Sequence, residues 1–396
     1  MNLPIVMDIG TDNIKVGFAY EKQPRFFIPT VIGYLEHNNI IEDAAYEKHV
    51  YIGNEALTKR GILKLKYPIS DIIENWDGIK DIFQQIFFNL LEIHPNKHPL
   101  LITVAPYSPE ENRNKLIRLL FESFNFPSIQ VYLPQLLSVV ALNKNTGCVV
   151  DLGAHTSHII PIYKNSVIKD KMNIFNLGGY QVTNFLQNQL LRQRGYLLTS
   201  SSDRYIVKAL KEKICYVALD IKTEEKKYQS KLIPTKGYKI SPKDTIELGF
   251  EACLATECLF EPAIVGKSTP SLTDIIRETV ESCDKEIRKK LYNSIILAGG
   301  TSMFPGLKER ILKELKREKI PEYKLSQFKT MRGKNMKKVQ NPSSKYPIHV
   351  LAPSNRLYSA WFGGAQLAAH MEFQKKFITK KQYNMVEMQK FNTYKI

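Results

Sequence analysis

The sequence predicts an α/β fold built from two related halves, on three observations. Val6-Met7-Asp8-Ile9-Gly10-Thr11 is an apolar strand that ends in Asp, one residue, then Gly, and Val149-Val150-Asp151-Leu152-Gly153-Ala154 repeats that design. Ile295-Ile296-Leu297-Ala298-Gly299-Gly300-Thr301 places a glycine pair after a third apolar run, where backbone amides can approach a phosphate or nucleoside without a Cβ in the way. Together the three passages describe a nucleotide cleft between the halves.

Taken in order, Ile5 to Asp8 and Val16 to Ala19 read as adjacent strands with Gly10 supplying the turn, a hairpin around an anion site. Thr30 to Lys66 is polar and irregular, which suggests a small peripheral lobe or loop. Asn75 to Leu91 carries Ile79, Ile82, Phe83, Ile86, Phe87 and Leu90 at helical spacing. Pro99 to Val104 reads as a buried strand, Pro109-Glu110-Glu111 as the acidic first turn of a helix through Phe124, and Val131 to Leu142 as a further apolar helix. The second half restarts with strands Cys148 to Asp151 and His158 to Tyr163. Gly178-Gly179 turns into a helix over Val182 to Leu191, and Ser202 to Leu219 is helical with mostly solvent-facing charges. Leu307 to Lys319 is an amphipathic helix, and Pro321 to Pro347 is a Lys-rich, weakly periodic insertion expected at the surface. Tyr358 to Gly364 feeds the apolar stretch Ala365 to Met371, and the polar C-terminal tail is expected on the surface, contributing to partner binding.

At 396 residues with 43% hydrophobic content, two domains with ample cores are expected. The N-terminus opens on a strand-like segment, so the expectation is a soluble intracellular protein with no transmembrane segment. Five cysteines without a CxxC pair, mostly in apolar surroundings, point to reduced, buried thiols. The net charge of +17 is concentrated over Lys222 to Lys243, Lys308 to Lys345 and Lys375 to Lys390. A solvated face, docking onto acidic protein surfaces and direct nucleic-acid contact all stay open on charge alone, although no zinc-finger, helix-turn-helix or aromatic RNA-binding signal supports the last.

Three longer passages are more specific: Arg60-Gly61-Ile62-Leu63-Lys64-Leu65-Lys66-Tyr67-Pro68, Lys211-Glu212-Lys213-Ile214-Cys215-Tyr216-Val217-Ala218-Leu219-Asp220 and Leu297-Ala298-Gly299-Gly300-Thr301-Ser302-Met303-Phe304-Pro305-Gly306. At these residues the chain resembles the actin family, from the first strand to about Tyr383. The basic composition and the Pro321 to Pro347 expansion make it similar to a divergent actin-related protein rather than to conventional actin. The resemblance implies a duplicated actin-like ATPase-domain fold with a central nucleotide cleft and small outer lobes. The first inner subdomain would comprise 1–29, 67–141 and 359–396, with 30–66 as its outer lobe. The second would comprise 142–177 and 268–358, including the basic insertion, with 178–267 as its outer lobe.

By the same resemblance, Gly10, Thr11 and Lys15 form a first phosphate loop, Gly153 belongs to a second, and Asp8 and Asp151 organise Mg2+ through coordinated water. Gly179, Lys208, Lys211 and Glu212 resemble positions on the nucleoside side, and Gly299, Gly300, Thr301, Met303 and Phe304 the opposing wall. ATP or ADP with Mg2+ is therefore the expected cofactor, held as a structural ligand that couples closure of the halves to assembly. Thr183 and Asp203 receive no phosphate role, and Leu357 stands where the family often has a cation near adenine.

Several departures fall around hydrolysis. Pro134 stands where the family commonly places a water-orienting glutamine, and Gln135 is one step out of that alignment. Ala154 replaces an expected acid, His155 an expected glycine, and Asp12 adds negative charge to the first loop. His158 matches the family histidine near the water network, so His158 and Gln135 are the catalytic candidates, and efficient hydrolysis is not expected. Residues 36–50 and Ile264 to Ile276, the latter with Lys267 and Pro270, depart from the family's filament contacts, which argues against an ordinary homopolymer. The implied function is a nucleotide-binding structural subunit of a cytoskeletal or ciliary protein complex, with an actin-family partner among the candidates. A nuclear chromatin-remodelling subunit and a cytoskeletal ATPase with relocated catalytic groups are the alternatives.

Overall fold

A computed structural model describes residues 3–35, 50–198, 200–240, 242, 244–317 and 346–385. The expectations for the segment around residues 36–49, for most of the basic insertion and for the tail after 385 lie outside the described residues. The chain divides into two compact units, Met1–Lys144 with Tyr358–Ile396, and Asn145–Leu357.

In the first unit, β1 (Ile5–Ile9), β2 (Asn13–Phe18) and β3 (Phe26–Pro29) form an antiparallel meander. Three short strands, β4 (Ile32–Leu35), β5 (Val50–Ile52) and β6 (Leu63–Lys66), make a separate antiparallel sheet within the Thr30 to Lys66 stretch. β7 (Leu100–Thr103) pairs parallel with β1, and β8 (Ser128–Tyr132) parallel with β7. Ile5, Val6, Met7, Leu100, Leu101 and Ile102 are all fully buried, as continuous apolar runs in parallel strands require.

Helix Trp76–Gln84 starts where the Asn75 side chain accepts a hydrogen bond from Gly78 N. It runs on as a π-helical turn through Leu90 and buries Ile79, Ile82, Phe83, Ile86 and Phe87. The expected helix from Val131 to Leu142 is shorter than its apolar run. Val131 and Tyr132 belong to β8, and the helix is Pro134–Val140 with its proline in the first turn, where no amide hydrogen is needed. Against it lies helix Ser359–Ala369, whose Trp361 Nε1 donates to Val6 O at 2.9 Å.

In the second unit, β9 (Gly147–Leu152), β10 (Ser157–Tyr163), β11 (Ser166–Val167) and β12 (Asn173–Phe175) group around β10. β13 (Lys236–Lys239) and β14 (Thr245–Leu248) form a small hairpin, while β15 (Ile295–Ala298) and β16 (Val350–Leu351) extend the main sheet beside β9. The two main sheets repeat one register. Asp8 lies opposite Lys15 across β1 and β2, and Asp151 opposite His158 across β9 and β10. The parallel neighbours β7 and β15 meet β1 and β9 at Ile5↔Leu100 and Cys148↔Ile295.

The helix expected over Ser202 to Leu219 ends at Ile214. Beyond it the backbone leaves the helical pattern, because Tyr216 N donates to Ala252 O and Val217 N to Pro305 O. A buried ionic cluster forms around Arg310 in this unit. Arg310 Nη2 meets Glu257 Oε1 at 2.8 Å and Nη1 meets Oε2 at 3.0 Å, while Nε reaches Glu314 at 2.9 Å and the guanidinium covers the Phe260 ring at 4.6 Å. The five cysteines are buried and none is in a disulfide. Burial pushes the thiols of Cys215, Cys253 and Cys258 up to about 12 and that of Cys283 to about 11, and raises Cys148 further.

Candidate functional site

The turn of the first hairpin is tight because Gly10 N donates to Asn13 O at 3.2 Å, and a Cβ on Gly10 would lie 2.7 Å from that same oxygen. Strand pairing sets Asp8 across from Lys15, and their side chains join at 3.1 Å. The other Asp8 oxygen accepts from Thr103 Oγ1 at 2.8 Å, and Thr103 Oγ1 in turn accepts from Ile9 N at 2.9 Å. Thr103 thus fixes both the carboxylate and the strand end. Sequence reading missed it, although a hydroxyl closing the apolar run Leu100-Leu101-Ile102-Thr103 was the available signal. The Thr11 hydroxyl donates to Ser70 O at 2.7 Å and ties the loop to the segment after β6. Asp12 accepts from Asn13 Nδ2 at 2.6 Å, so its charge is engaged within the loop.

In the second unit the sequence-predicted residues Gly153, Gly179, Thr301 and Lys211 are brought together. Gly153 O accepts from Thr301 Oγ1 at 2.7 Å and from Gly179 N at 3.0 Å, and Gly179 O accepts from Lys211 Nζ at 3.0 Å. A Cβ on Gly179 would sit 2.8 Å from Thr301 Oγ1 and 3.2 Å from Lys211 Nζ, so only glycine fits without displacing both. Helix Gly179–Arg194 begins here, and its first amides, Gly179 N and Tyr180 N, donate to Gly153 O and Ala154 O. The Ala154-His155 stretch is therefore bound onto a helix N-terminus, with the His155 ring edge-on to Tyr180 at 6.3 Å.

Gly299 has φ +84, a left-handed conformation that suits glycine, and a Cβ there would come within 2.4 Å of Leu152 O. Arg356, another residue the sequence reading missed, braces this turn. Its carbonyl accepts from Gly299 N at 3.0 Å and its Nε donates to Ser302 O at 3.2 Å. Leu357 lies against Gly300. Of the other expected wall residues, Met303 is exposed, whereas Phe304 is buried in the core of the unit and holds the turn from beneath. Lys208 is half-buried with its ammonium 5.6 Å from the Tyr205 ring, and Glu212 is exposed.

The catalytic candidates sit in contrasting places. His158 is half-buried on β10 opposite Asp151, while Gln135 is only 1% exposed in the first turn of helix Pro134–Val140. Among the described residues no group of three or more His, Cys, Asp and Glu is arranged to hold a metal ion within one cluster, and no helix is long and apolar enough to cross a membrane. The donor chemistry suits a magnesium nucleotide. In one unit Asp8 is a hard-oxygen group paired with the cation Lys15 ahead of the tight Gly10 turn, and in the other Asp151 is a hard-oxygen group ahead of the tight Gly153 turn.

A protein-family model described as Actin matches residues 2–389. The chain is also similar to centractin of Saccharomyces cerevisiae, 34% identical over 387 residues that cover 96% of this chain and 94% of that protein.

Proposed function

The chain belongs to the actin family, as a divergent actin-related protein, and from that premise we propose that it is a nucleotide-binding structural subunit of a cytoskeletal protein assembly. It holds ATP or ADP with Mg2+, hydrolyses it weakly or not at all, and polymerises with itself to a limited extent. The observation that carries the nucleotide reading is the repeated hairpin, with Asp8 facing Lys15 in one unit and Asp151 facing His158 in the other, each ahead of a tight glycine turn. Lys15 and the loop amides would hold phosphate, Asp8 and Asp151 would orient the metal's water shell, and Lys211 and Thr301 would keep the second loop in shape. When bound, Mg2+ would neutralise part of the phosphate charge.

The weak-hydrolysis reading rests on Pro134, which has no side-chain hydrogen bond to offer an attacking water, and on the burial of Gln135 beside it. The limited-polymer reading rests on Lys267 and Pro270, which lie between the short 3-10 turn Pro262–Val265 and the Ser271 cap of helix Leu272–Glu281.

One preparation of purified chain tests all three parts. Calorimetry with Mg-ATP should show binding that Asp8→Ala weakens about tenfold, or about 1.4 kcal/mol. Single-turnover hydrolysis should run at least about tenfold slower than for a conventional actin assayed alongside, a barrier difference of about 1.4 kcal/mol, and pelleting at ordinary salt should leave the chain in solution. Unchanged affinity in Asp8→Ala would remove that residue from the metal site. A turnover rate equal to actin's, or long filaments of the pure chain, would each overturn the corresponding part.

A further inference from the structure

We propose that the Asn145–Leu357 unit carries a docking surface for an acidic polypeptide segment, centred on Tyr163, Lys164 and Lys290. Two ammonium groups converge on one phenol ring. Lys164 Nζ lies 5.3 Å and Lys290 Nζ 5.2 Å from the Tyr163 ring centroid, and Lys290 Nζ is also 3.4 Å from the Tyr163 hydroxyl.

The arrangement is built rather than incidental. Lys164 and Asn165 both have positive φ, 50° and 59°, the two-residue turn that suits a tight hairpin between β10 and β11. That turn is pinned by Lys164 N donating to Thr146 Oγ1 at 3.1 Å and Asn165 N donating to Asn145 O at 2.8 Å. Lys290 projects from helix Lys285–Tyr292, anchored by buried Ile287, Leu291 and Tyr292. Lys289 and Lys285 are exposed on the same helix, and Lys169 is exposed beyond β11.

Two like charges brought to one ring from a rigid turn and an anchored helix favour an anion that shares them. Among the described residues the neighbouring cations Arg288 and Lys171 pair with Glu281 and Asp170, but no ion pair is formed by Lys164 or Lys290. The helix dipole favours basic residues in the last turn and so accounts for Lys289 and Lys290 alone. It does not account for Lys164, which comes from a different element.

The exposed acids Asp170, Asp284 and Glu286 interrupt the patch. A nucleic-acid backbone, with one charge about every 1.7 Å of duplex, would bring phosphates against them. A polypeptide can space its carboxylates to meet Lys164 and Lys290 and avoid the acids. The patch lies outside the residues assigned to nucleotide.

The test uses the full chain and a fluorescein-labelled peptide of alternating glutamate and glycine, read by anisotropy at low salt. The paired substitution Lys164→Glu with Lys290→Glu should weaken binding about tenfold, and Lys164→Gln with Lys290→Gln by an intermediate factor. Lys222→Glu with Lys226→Glu, which makes the same charge change on helix Ile221–Gln229, should cost less than about twofold. If the glutamate pair lowers the melting temperature, the glutamine pair gives the same reading without charge reversal. Equal losses in the Lys222/Lys226 control would mean that net charge alone is sensed, and no loss in either Lys164/Lys290 pair would remove the site. Tighter binding of duplex DNA or phosphatidylserine vesicles than of the peptide, lost in the same pair, would assign the surface to another partner and overturn the proposal.

Discussion

Arg310→Met is expected to destabilise the folded chain by about 3–5 kcal/mol, the cost of leaving a buried carboxylate without its partner. The guanidinium makes a two-pronged contact with Glu257, a third bond to Glu314, and a fourth from Nη1 to Ala218 O at 2.8 Å. Methionine fills much of the volume and keeps contact with Phe260, but it satisfies none of these oxygens. Replacing Glu257 by leucine in the same chain should recover most of the loss, because the penalty belongs to the unpaired charge.

The pH dependence separates this account from simple loss of packing. Burial raises the Glu257 carboxyl above its ordinary range, opposed by Arg310 and reinforced by Glu314. Without Arg310 the opposition is gone and the folded-state value rises further. A group raised in the folded state supports folding fully below its unfolded pKa, and that support is lost as pH rises through the folded value. The deficit of Arg310→Met relative to the parent should therefore be smallest below about pH 4.3, the unfolded glutamate value, and grow toward neutrality. Urea denaturation across that range decides the matter. A deficit that grows on acidification, or one under about 1 kcal/mol at neutral pH, would contradict the role assigned to the pair.

Gly363→Ala should cost about 2–3 kcal/mol in spite of alanine's better helix propensity. Helix Ser359–Ala369 meets helix Pro134–Val140 at this point, and a Cβ on Gly363 would fall 1.9 Å from Leu137 O, 2.7 Å from Leu137 C and 3.1 Å from Ala141 N. These are backbone atoms, so no side-chain rotation relieves the overlap and the helices must separate. The propensity gain of about 1 kcal/mol is smaller than that cost. Gly364→Ala is the internal comparison. Its Cβ would meet the Val6 and Leu101 side chains at 2.9 and 3.1 Å, which rotamer changes can accommodate in part. Thermal melts should rank parent, Gly364→Ala, Gly363→Ala in falling order, and equal melting of parent and Gly363→Ala would show that the helices are not packed as described.

Much of the fold was legible because its marks are local. An apolar strand that ends in Asp-x-Gly announces both a strand and its turn, and it did so at Asp8 and Asp151 without reference to the rest of the chain. The helix through Ile79 and Phe83 was legible from spacing alone. The failures came where distant bonds decide. Nothing beside Val131 says that β7 lies ready to pair with it, so the apolar run from Val131 reads as helix throughout, whereas the helix begins only at Pro134. The break after Ile214 is made by carbonyls at Ala252 and Pro305, which no window of sequence brings together. The same limit hid Thr103 and Arg356 from the site reading, since each acts on a loop far along the chain. Arg310 and Glu257 look like solvent-facing charges on separate helices, and only the fold makes them a buried pair.

All five cysteines, Cys148, Cys215, Cys253, Cys258 and Cys283, lie in Asn145–Leu357 and none in the other unit. Their burial leaves almost no thiolate exposed to a solvent-borne alkylating reagent while the fold is closed, whereas an opened chain presents thiols of ordinary acidity. The protein thus carries an intrinsic clock for one half of itself. Carboxymethylation mapped cysteine by cysteine records how often each part of that half breathes, with no engineered label, and stays silent about the half that begins at the N-terminus.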